Sequence, residues 1–312
     1  MAPSEGGEPE THRGETRDGA ATVSAELQAT WGGTAERLDR VVPLLGLARS
    51  RSRATELIGA GQVVVNGAVA VKPGAKVVAG DLVTVDGADH YVGRAAHKLL
   101  AALEAFAIDP SGRVALDLGA STGGFTQVLL ERGARIVQAI DVGHDQLAQQ
   151  LRDDDRVKLV EGRNARALTP ANLAADTGVA DAPTLVVADL SFISLRLVFP
   201  AIAACAAPAA ELVLLIKPQF EVGRVKDGVV TSPAQWGDAV RTVLQAAAEH
   251  GFALRDLAAS PVIGAHGNRE FLGYFVRAAD ALPTEWEARI VELTGAPEAR
   301  QSIDTARADE GR

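Results

Sequence analysis

The sequence predicts an α/β fold, a mostly parallel sheet flanked by helices, preceded by a small α+β module. Three observations carry this. Beyond residue 113, short β-rich runs alternate with helical stretches, the arrangement that places helices on both faces of a parallel sheet. Directly after the first of those runs comes LDLGASTGGF, small residues at the C-terminal end of a strand. Before them, residues 37–76 concentrate basic side chains in a chain whose formal net charge is −9.

Residues 1–33 are rich in Gly, Glu, Thr and Ala and lack a sustained period, so an acidic, disordered extension is expected, with a short helix allowed at 25–29. The module that follows spans 34–89. ERLDRVVPLLGLA has helical spacing interrupted by Pro43. Ser50 or Ser52 can cap a second helix that stops at Gly59 or Gly61. QVVVNGAVA reads as two short strands about an Asn-Gly turn, and KPGAKVVAGDLVTV adds a turn and a strand. The larger domain is expected over 90–280. It opens with a helix over 91–107, and strands are predicted at 113–118, 135–140, 157–160, 184–188, 211–216, 254–260 and 271–277. The segment 281–312 should hold a helix around 285–293 and then a tail.

Composition narrows the function classes. At 312 residues and 47% apolar, the chain can bury a sizeable core, largely of Ala, Val and Leu because aromatics make up 4%. The single cysteine, Cys205, excludes an intrachain disulfide and a cysteine-rich metal site. MAPSEGGEPE has neither a basic nor an apolar signal region, and no apolar stretch is long enough to span a bilayer. The cytoplasm is therefore the expected location, without stable membrane association. The acidic total argues against a nucleic-acid binder, but Arg37, Arg40, Arg49, Arg51, Arg53, Lys72 and Lys76 face only Asp39 and Glu56 within their segment. A local basic patch is what docking on a phosphate backbone needs.

Loops at the C-terminal ends of such strands bind ligands. Gly119, Gly123 and Gly124 permit close approach or unusual dihedrals, and the helix start after them offers unpaired N–H groups. The spacing is not GxGxxG and the loop lacks a P-loop lysine, which disfavours dinucleotides and nucleotide hydrolysis. The next strand ends in Asp141, where an acid can accept both hydroxyls of a ribose. Its plainer alternative is a cap for the helix near His144. Glycine loop plus strand-tip acid suits a nucleoside-containing ligand such as S-adenosyl-L-methionine. TLVVADLSFISL puts Asp189 just past a buried strand, and ELVLLIKPQFEVG puts Lys217 at the end of another. Pro218 disfavours helical geometry at Lys217.

These stretches resemble the TlyA family, which joins an S4-type RNA-binding domain to a Rossmann-like methyltransferase domain of the FtsJ kind. RLDRVVPLLGLARSRSRATELIGAGQVVVNG and KPG are similar to the S4 part; YVGRAAHKL, LDLGASTGGFT, DVGHDQL, VVADLSFISL, KPQFEVG and GNREFLGYF are similar to the second. The resemblance implies a catalytic set of Lys98, Asp189, Lys217 and Glu270. It implies S-adenosyl-L-methionine held by Asp117, Gly119, Ser121, Gly123, Gly124, Phe125, Asp141, Asn164 and Asp189. The implied reaction is 2'-O-methylation of cytidine in ribosomal RNA, 16S and in some members also 23S, within ribosomal subunits. Departures from the family pattern are Ala95–Ala96, where a glycine is common, and His144–Asp145.

Methyl transfer from a sulfonium to oxygen needs alignment and proton management but no metal. Lys217 is expected nearest the hydroxyl, where its cationic form would stabilise alkoxide character. Lys98 would lower its pKa, and Asp189 and Glu270 would oppose that shift. Arg37, Arg40, Arg49, Arg51, Arg53 and Lys72 are expected on RNA phosphates, which position RNA without reading its sequence; a solvated helix face is the plainer alternative for any one of them. The 2'-hydroxyl excludes DNA as substrate. An RNA-binding protein with an inactive α/β domain, a membrane-active hemolysin and a pseudouridine synthase are the rival readings.

Overall fold

The computed structural model describes residues 26–48, 50–86, 91–223, 225–264, 267–278 and 283–297. The chain divides into two units at Tyr91.

The first unit is built on β1 (Glu26–Thr30), β2 (Glu36–Arg37), α1 (Leu38–Leu44), α2 (Arg51–Gly59), β3 (Val63–Val65), β4 (Ala68–Val69), β5 (Lys76–Val77) and β6 (Leu82–Asp86). Its sheet runs β1-β6-β3-β4, with β2 and β5 pairing separately. Asn66 (φ 48°) and Gly67 (φ 81°) make the hairpin turn between β3 and β4 with both central residues left-handed, as such a turn requires. Ser50 caps α2 by accepting from the Arg53 N–H at 3.2 Å. Leu38, Val41 and Val42 from α1, Ala54, Leu57 and Ile58 from α2, and Val63, Val83 and Val85 from the sheet form one core.

The disorder expected over residues 1–25 lies outside the described residues, and the short helix allowed at 25–29 does not form. Residues Glu26–Thr30 are a strand, paired antiparallel with β6 from Glu26↔Asp86 to Thr30↔Leu82. The Trp31 N–H continues the ladder to the Asp81 carbonyl at 2.9 Å. Leu27, Ala29 and Trp31 alternate with polar residues, a period-2 signal too short to stand out in its acidic surroundings. The strand's hydrogen bonds come from a segment more than fifty residues away in sequence, so no local pattern announces it.

The second unit carries α3 (Ala96–Ala105), β7 (Val114–Leu118), α4 (Gly124–Glu131), β8 (Ile136–Ile140), α5 (Gln149–Arg152), β9 (Val157–Val160), α6 (Pro170–Thr177), β10 (Leu185–Ala188), α7 (Phe199–Cys205), β11 (Glu211–Ile216), α8 (Pro218–Glu221), α9 (Pro233–Glu249), β12 (Phe252–Ala259), β13 (Phe271–Arg277) and α10 (Glu287–Thr294). The sheet order is β12-β13-β11-β10-β7-β8-β9. β11, β10, β7, β8 and β9 are parallel, and β12 and β13 close one edge antiparallel. The α/β fold class read from the alternation is the one observed.

Strand alternation divides the core. Leu116, Leu118, Val186, Leu212 and Leu214 face a cluster with α7 and α9. Ala115, Val137, Leu185, Val187 and Val213 face a second cluster with α3 and α4. Both faces are covered, which is why these strands read as unbroken apolar runs. Each fully buried Leu or Val contributes about 1.5–3 kcal/mol.

The helix expected to start at 91 starts at Ala96. Gly93 ends its backward extension, and the Ala96 N–H closes a turn on the Gly93 carbonyl at 3.1 Å. No helix among the described residues is long and apolar enough to cross a membrane.

Candidate active site

Sheet order reverses between β7 and β10, the place at which open α/β sheets form a ligand crevice outside the strand ends. Asp189 follows β10 and Lys217 follows β11, so both sit at the C-terminal edge. Glu270 precedes β13. Because β13 runs antiparallel to β11 with Ile216 opposite Phe271, the residues just beyond that pair, Lys217 and Glu270, lie at the same edge. Lys98 comes from the first turn of α3.

The four side chains form one chain of alternating charge. Lys98 Nζ lies 2.7 Å from Glu270 Oε2 and 3.4 Å from Asp189 Oδ2. Lys217 Nζ lies 2.6 Å from Asp189 Oδ1 and donates to Ser191 Oγ at 3.0 Å. Lys98, Lys217 and Glu270 are 5%, 7% and 4% exposed. Two buried ammoniums are tolerated because two carboxylates interleave them and the net charge is zero. Lys217 adopts φ −111°, ψ 102°, the extended geometry that a following proline imposes. An ammonium has three donors. Asp189 and Ser191 engage two sides of this one, which leaves a direction for a substrate oxygen. Gly264 is required beside Glu270, since a Cβ there would lie 2.2 Å from Glu270 Oε1.

The glycine loop follows β7 at the same edge. Gly119 has φ +86°, and a Cβ on it would lie 2.9 Å from the Asp189 carbonyl oxygen. Gly123 has φ +99° at the start of α4, and a Cβ on Gly124 would lie 3.0 Å from the Ala96 nitrogen, so α4 and α3 meet backbone to backbone. Ser121, exposed and at φ 48°, donates its N–H to Asp141 Oδ2 at 2.7 Å, while Asp141 Oδ1 accepts from the Gly143 N–H at 2.7 Å. Asp141 thus shapes its loop and keeps spare lone pairs on both oxygens.

Asp117 is fully buried, with Oδ2 accepting from Thr126 Oγ at 2.6 Å and Oδ1 left without a hydrogen-bond partner. Burial pushes its carboxyl up to about 7. The Thr126 hydrogen bond opposes the shift, and the nearby Asp189 and Asp141 charges add to it. Asp117 and Asp141, both near the glycine loop, suit a cationic guest. S-adenosylmethionine carries both an ammonium and a sulfonium, and the glycine crevice and the orphaned Asp117 oxygen fit it.

Other expected positions lie apart from this cluster or act differently. Phe125, in the first turn of α4, turns its ring into the core, so only its backbone can serve a ligand. Asn164 is exposed and caps a single turn by accepting from the Arg166 N–H at 3.1 Å. In the first unit, Asp39 is buried and accepts from Arg37 through two nitrogens at 3.0 Å, and from Arg51 through two at 3.0 and 2.9 Å. The Arg37 hydrogen bonds, then those of Arg51, hold its carboxyl down at about 2. Arg37 and Arg51 are half-exposed and held as a pair. Arg40 is paired with Glu36 at 3.4 Å and Arg53 with Glu56 at 3.2 Å, and Lys72 is exposed. Arg49 lies outside the described residues.

Sequence reasoning missed Ser191, Phe192 and Phe220. Phe192 is 91% exposed and holds φ +64°, left-handed for a residue that avoids that region. Its ring packs on Phe220 at 5.4 Å, and Phe220 lies 6.0 Å from Lys217 Nζ. The available signal was an aromatic between two serines directly after the strand-tip acid, in ADLSFIS.

Residues 91–277 match the FtsJ-like methyltransferase family, and residues 36–83 match the S4 domain. Over 240 residues the chain is 50% identical to the 16S/23S rRNA (cytidine-2'-O)-methyltransferase TlyA of Mycobacterium tuberculosis, covering 75% of this chain and 87% of that protein. It is 37% identical over 283 residues to YqxC of Bacillus subtilis, described as a candidate rRNA methyltransferase, covering 88% and 97% of the two chains. A solved structure of a candidate hemolysin from Streptococcus thermophilus superposes with a TM-score of 0.63 at 36% identity, covering 84% of this chain and 95% of that one.

Proposed function

The chain belongs to the TlyA family, an S4 domain joined to an FtsJ-like methyltransferase domain, and from that premise we propose that it methylates the ribose 2'-oxygen of a cytidine in ribosomal RNA. The observation that carries the reading is the Lys217 amine, buried at the strand edge between Asp189 and Ser191, beside the glycine crevice. Gly119, Ser121, Gly123, Gly124, Asp117 and Asp141 hold S-adenosylmethionine. That cofactor supplies an electrophilic methyl whose transfer to oxygen breaks a carbon–sulfur bond and leaves a neutral thioether.

This chain's residues supply placement and charge. Lys217 directs its remaining N–H at the 2'-oxygen, stabilising alkoxide character as the hydroxyl proton departs to water. Asp189 fixes that amine, and Lys98 and Glu270 fix Asp189. The exposed Phe192 ring, backed by Phe220, offers a face on which the target base stacks once it leaves its helix. The Arg37–Asp39–Arg51 cluster holds two guanidiniums ready for RNA phosphates. The protein acts in the cytoplasm, where ribosomal subunits are found.

The test is transfer of labelled methyl from S-adenosylmethionine to small and large ribosomal subunits from cells lacking the gene, followed by mapping of 2'-O-methyl positions. Methylated cytidine ribose in either subunit is expected. Label in a base, or none in either subunit, would refute the reading.

A further inference from the structure

We propose that Glu221 is a positioning residue: it latches the loop after β10 onto the helix that follows Lys217, and so holds Phe192 and Ser191 against the site. The inference rests on the reading of Phe192 as the platform for the target base.

The two loops come from neighbouring parallel strands, and the sheet's own hydrogen bonds between them end at Ala188 and Leu214. Beyond that point, among the described residues, every hydrogen bond between them involves a side chain. Glu221 Oε2 accepts from Ser194 Oγ at 2.5 Å and Oε1 accepts from the Leu195 N–H at 2.8 Å. One carboxylate thus uses both oxygens on one short segment of the other loop. Burial raises its carboxyl above the usual range, against the Ser194 and Leu195 hydrogen bonds and the Arg196 charge. A carboxylate kept in an unfavourable setting with two donors aimed at it is a structural fastening.

What it fastens is under strain. Phe192 sits at φ +64° with its ring almost wholly in solvent, so neither backbone preference nor burial keeps it there. On its N-terminal side the Lys217–Ser191 hydrogen bond ties the preceding residue, while its own ring packs on Phe220. The Glu221 latch lies on the other, two to three residues on. With both sides tied, the loop has no slack in which Phe192 can relax. Glutamine at 221 keeps one acceptor and turns an N–H toward the second donor, so it should hold the loop partially; alanine holds nothing.

The test is steady-state methylation of ribosomal subunits by Glu221→Ala, Glu221→Gln, Phe192→Ala and the double variant Glu221→Ala/Phe192→Ala, with S-adenosylmethionine affinity measured by calorimetry. Each alanine variant should lower kcat/KM for RNA about tenfold or more, by displacing the base platform. Cofactor affinity should stay within about twofold, Glu221→Gln should fall between, and the double variant should be no worse than the poorer single one. Losses that multiply in the double variant would overturn the latch while leaving the platform intact, as would unchanged kinetics of Glu221→Ala. Unchanged kinetics of Phe192→Ala would overturn the platform reading itself, and the latch with it. Should Glu221→Ala fail to fold, Ser194→Ala removes one of the two donors and must show the same coupling to Phe192→Ala; additivity there refutes the proposal.

Discussion

Replacing Asp189 by asparagine should damage fold and activity together, and the structure says by how much. The carboxylate serves two buried ammoniums, Lys217 at 2.6 Å on one oxygen and Lys98 at 3.4 Å on the other. An amide has the same shape but a single acceptor, so one ammonium would face N–H groups instead. The cluster would pass from net zero to a net positive charge, with only Glu270 left to balance two lysines. Breaking a buried pair by removing one partner costs about 3–5 kcal/mol. For a domain of this size each kcal/mol moves Tm by about 2–4 °C, so a fall of roughly 6–20 °C is expected. Methyl transfer should drop at least ~100-fold, since Lys217 loses the group that aims it. Differential scanning calorimetry and single-turnover transfer from labelled cofactor measure the two effects. An unchanged Tm with near-normal transfer would refute the idea that Asp189 holds both amines.

Three further outcomes follow from particular contacts. Gly119→Ala should weaken cofactor binding by calorimetry: the left-handed backbone alone costs about 1–2 kcal/mol, and the new Cβ would lie 2.9 Å from the Asp189 carbonyl. Asp117 holds its proton up to about 7 in the fold against 3.8 ordinarily, so between those values the native state binds the extra proton and stability falls as pH rises. The contribution is full below pH 3.8, gone above about pH 7, and worth about 4 kcal/mol. Asp117→Asn should therefore gain stability relative to the parent as pH rises from about 4 to about 7 in urea melts, and parallel pH profiles would contradict this. Arg51→Ala should weaken RNA binding and reduce the slope of log affinity against log salt by about one, and an unchanged slope would remove Arg51 from the phosphate contacts.

The parallel sheet was legible because both its faces are buried, which writes each strand as an unbroken apolar run bounded by turn residues. For the same reason Asp189 and Lys217 stood out: a charged residue directly after LVVA or LVLLI reads as a strand tip. Glu270 was not visible from spacing alone, since its place at that edge depends on β13 running antiparallel. β1 escaped because its partner strand lies far along the chain. Phe125 matched a motif, but helix geometry turns its ring into the core. The Phe192–Phe220 contact and the Glu221 latch join two loops that no local pattern relates. Asp39 looked like a stray acid among arginines and instead organises two of them.

The most direct measurement compares Lys217→Ala with the parent protein in two assays on the same preparation: S-adenosylmethionine affinity by calorimetry, and single-turnover methyl transfer to ribosomal RNA. The account predicts that affinity is retained, because the glycine crevice and its acids are untouched, while transfer to the 2'-oxygen disappears. Transfer at the parent rate would show that this amine does not serve the sugar oxygen.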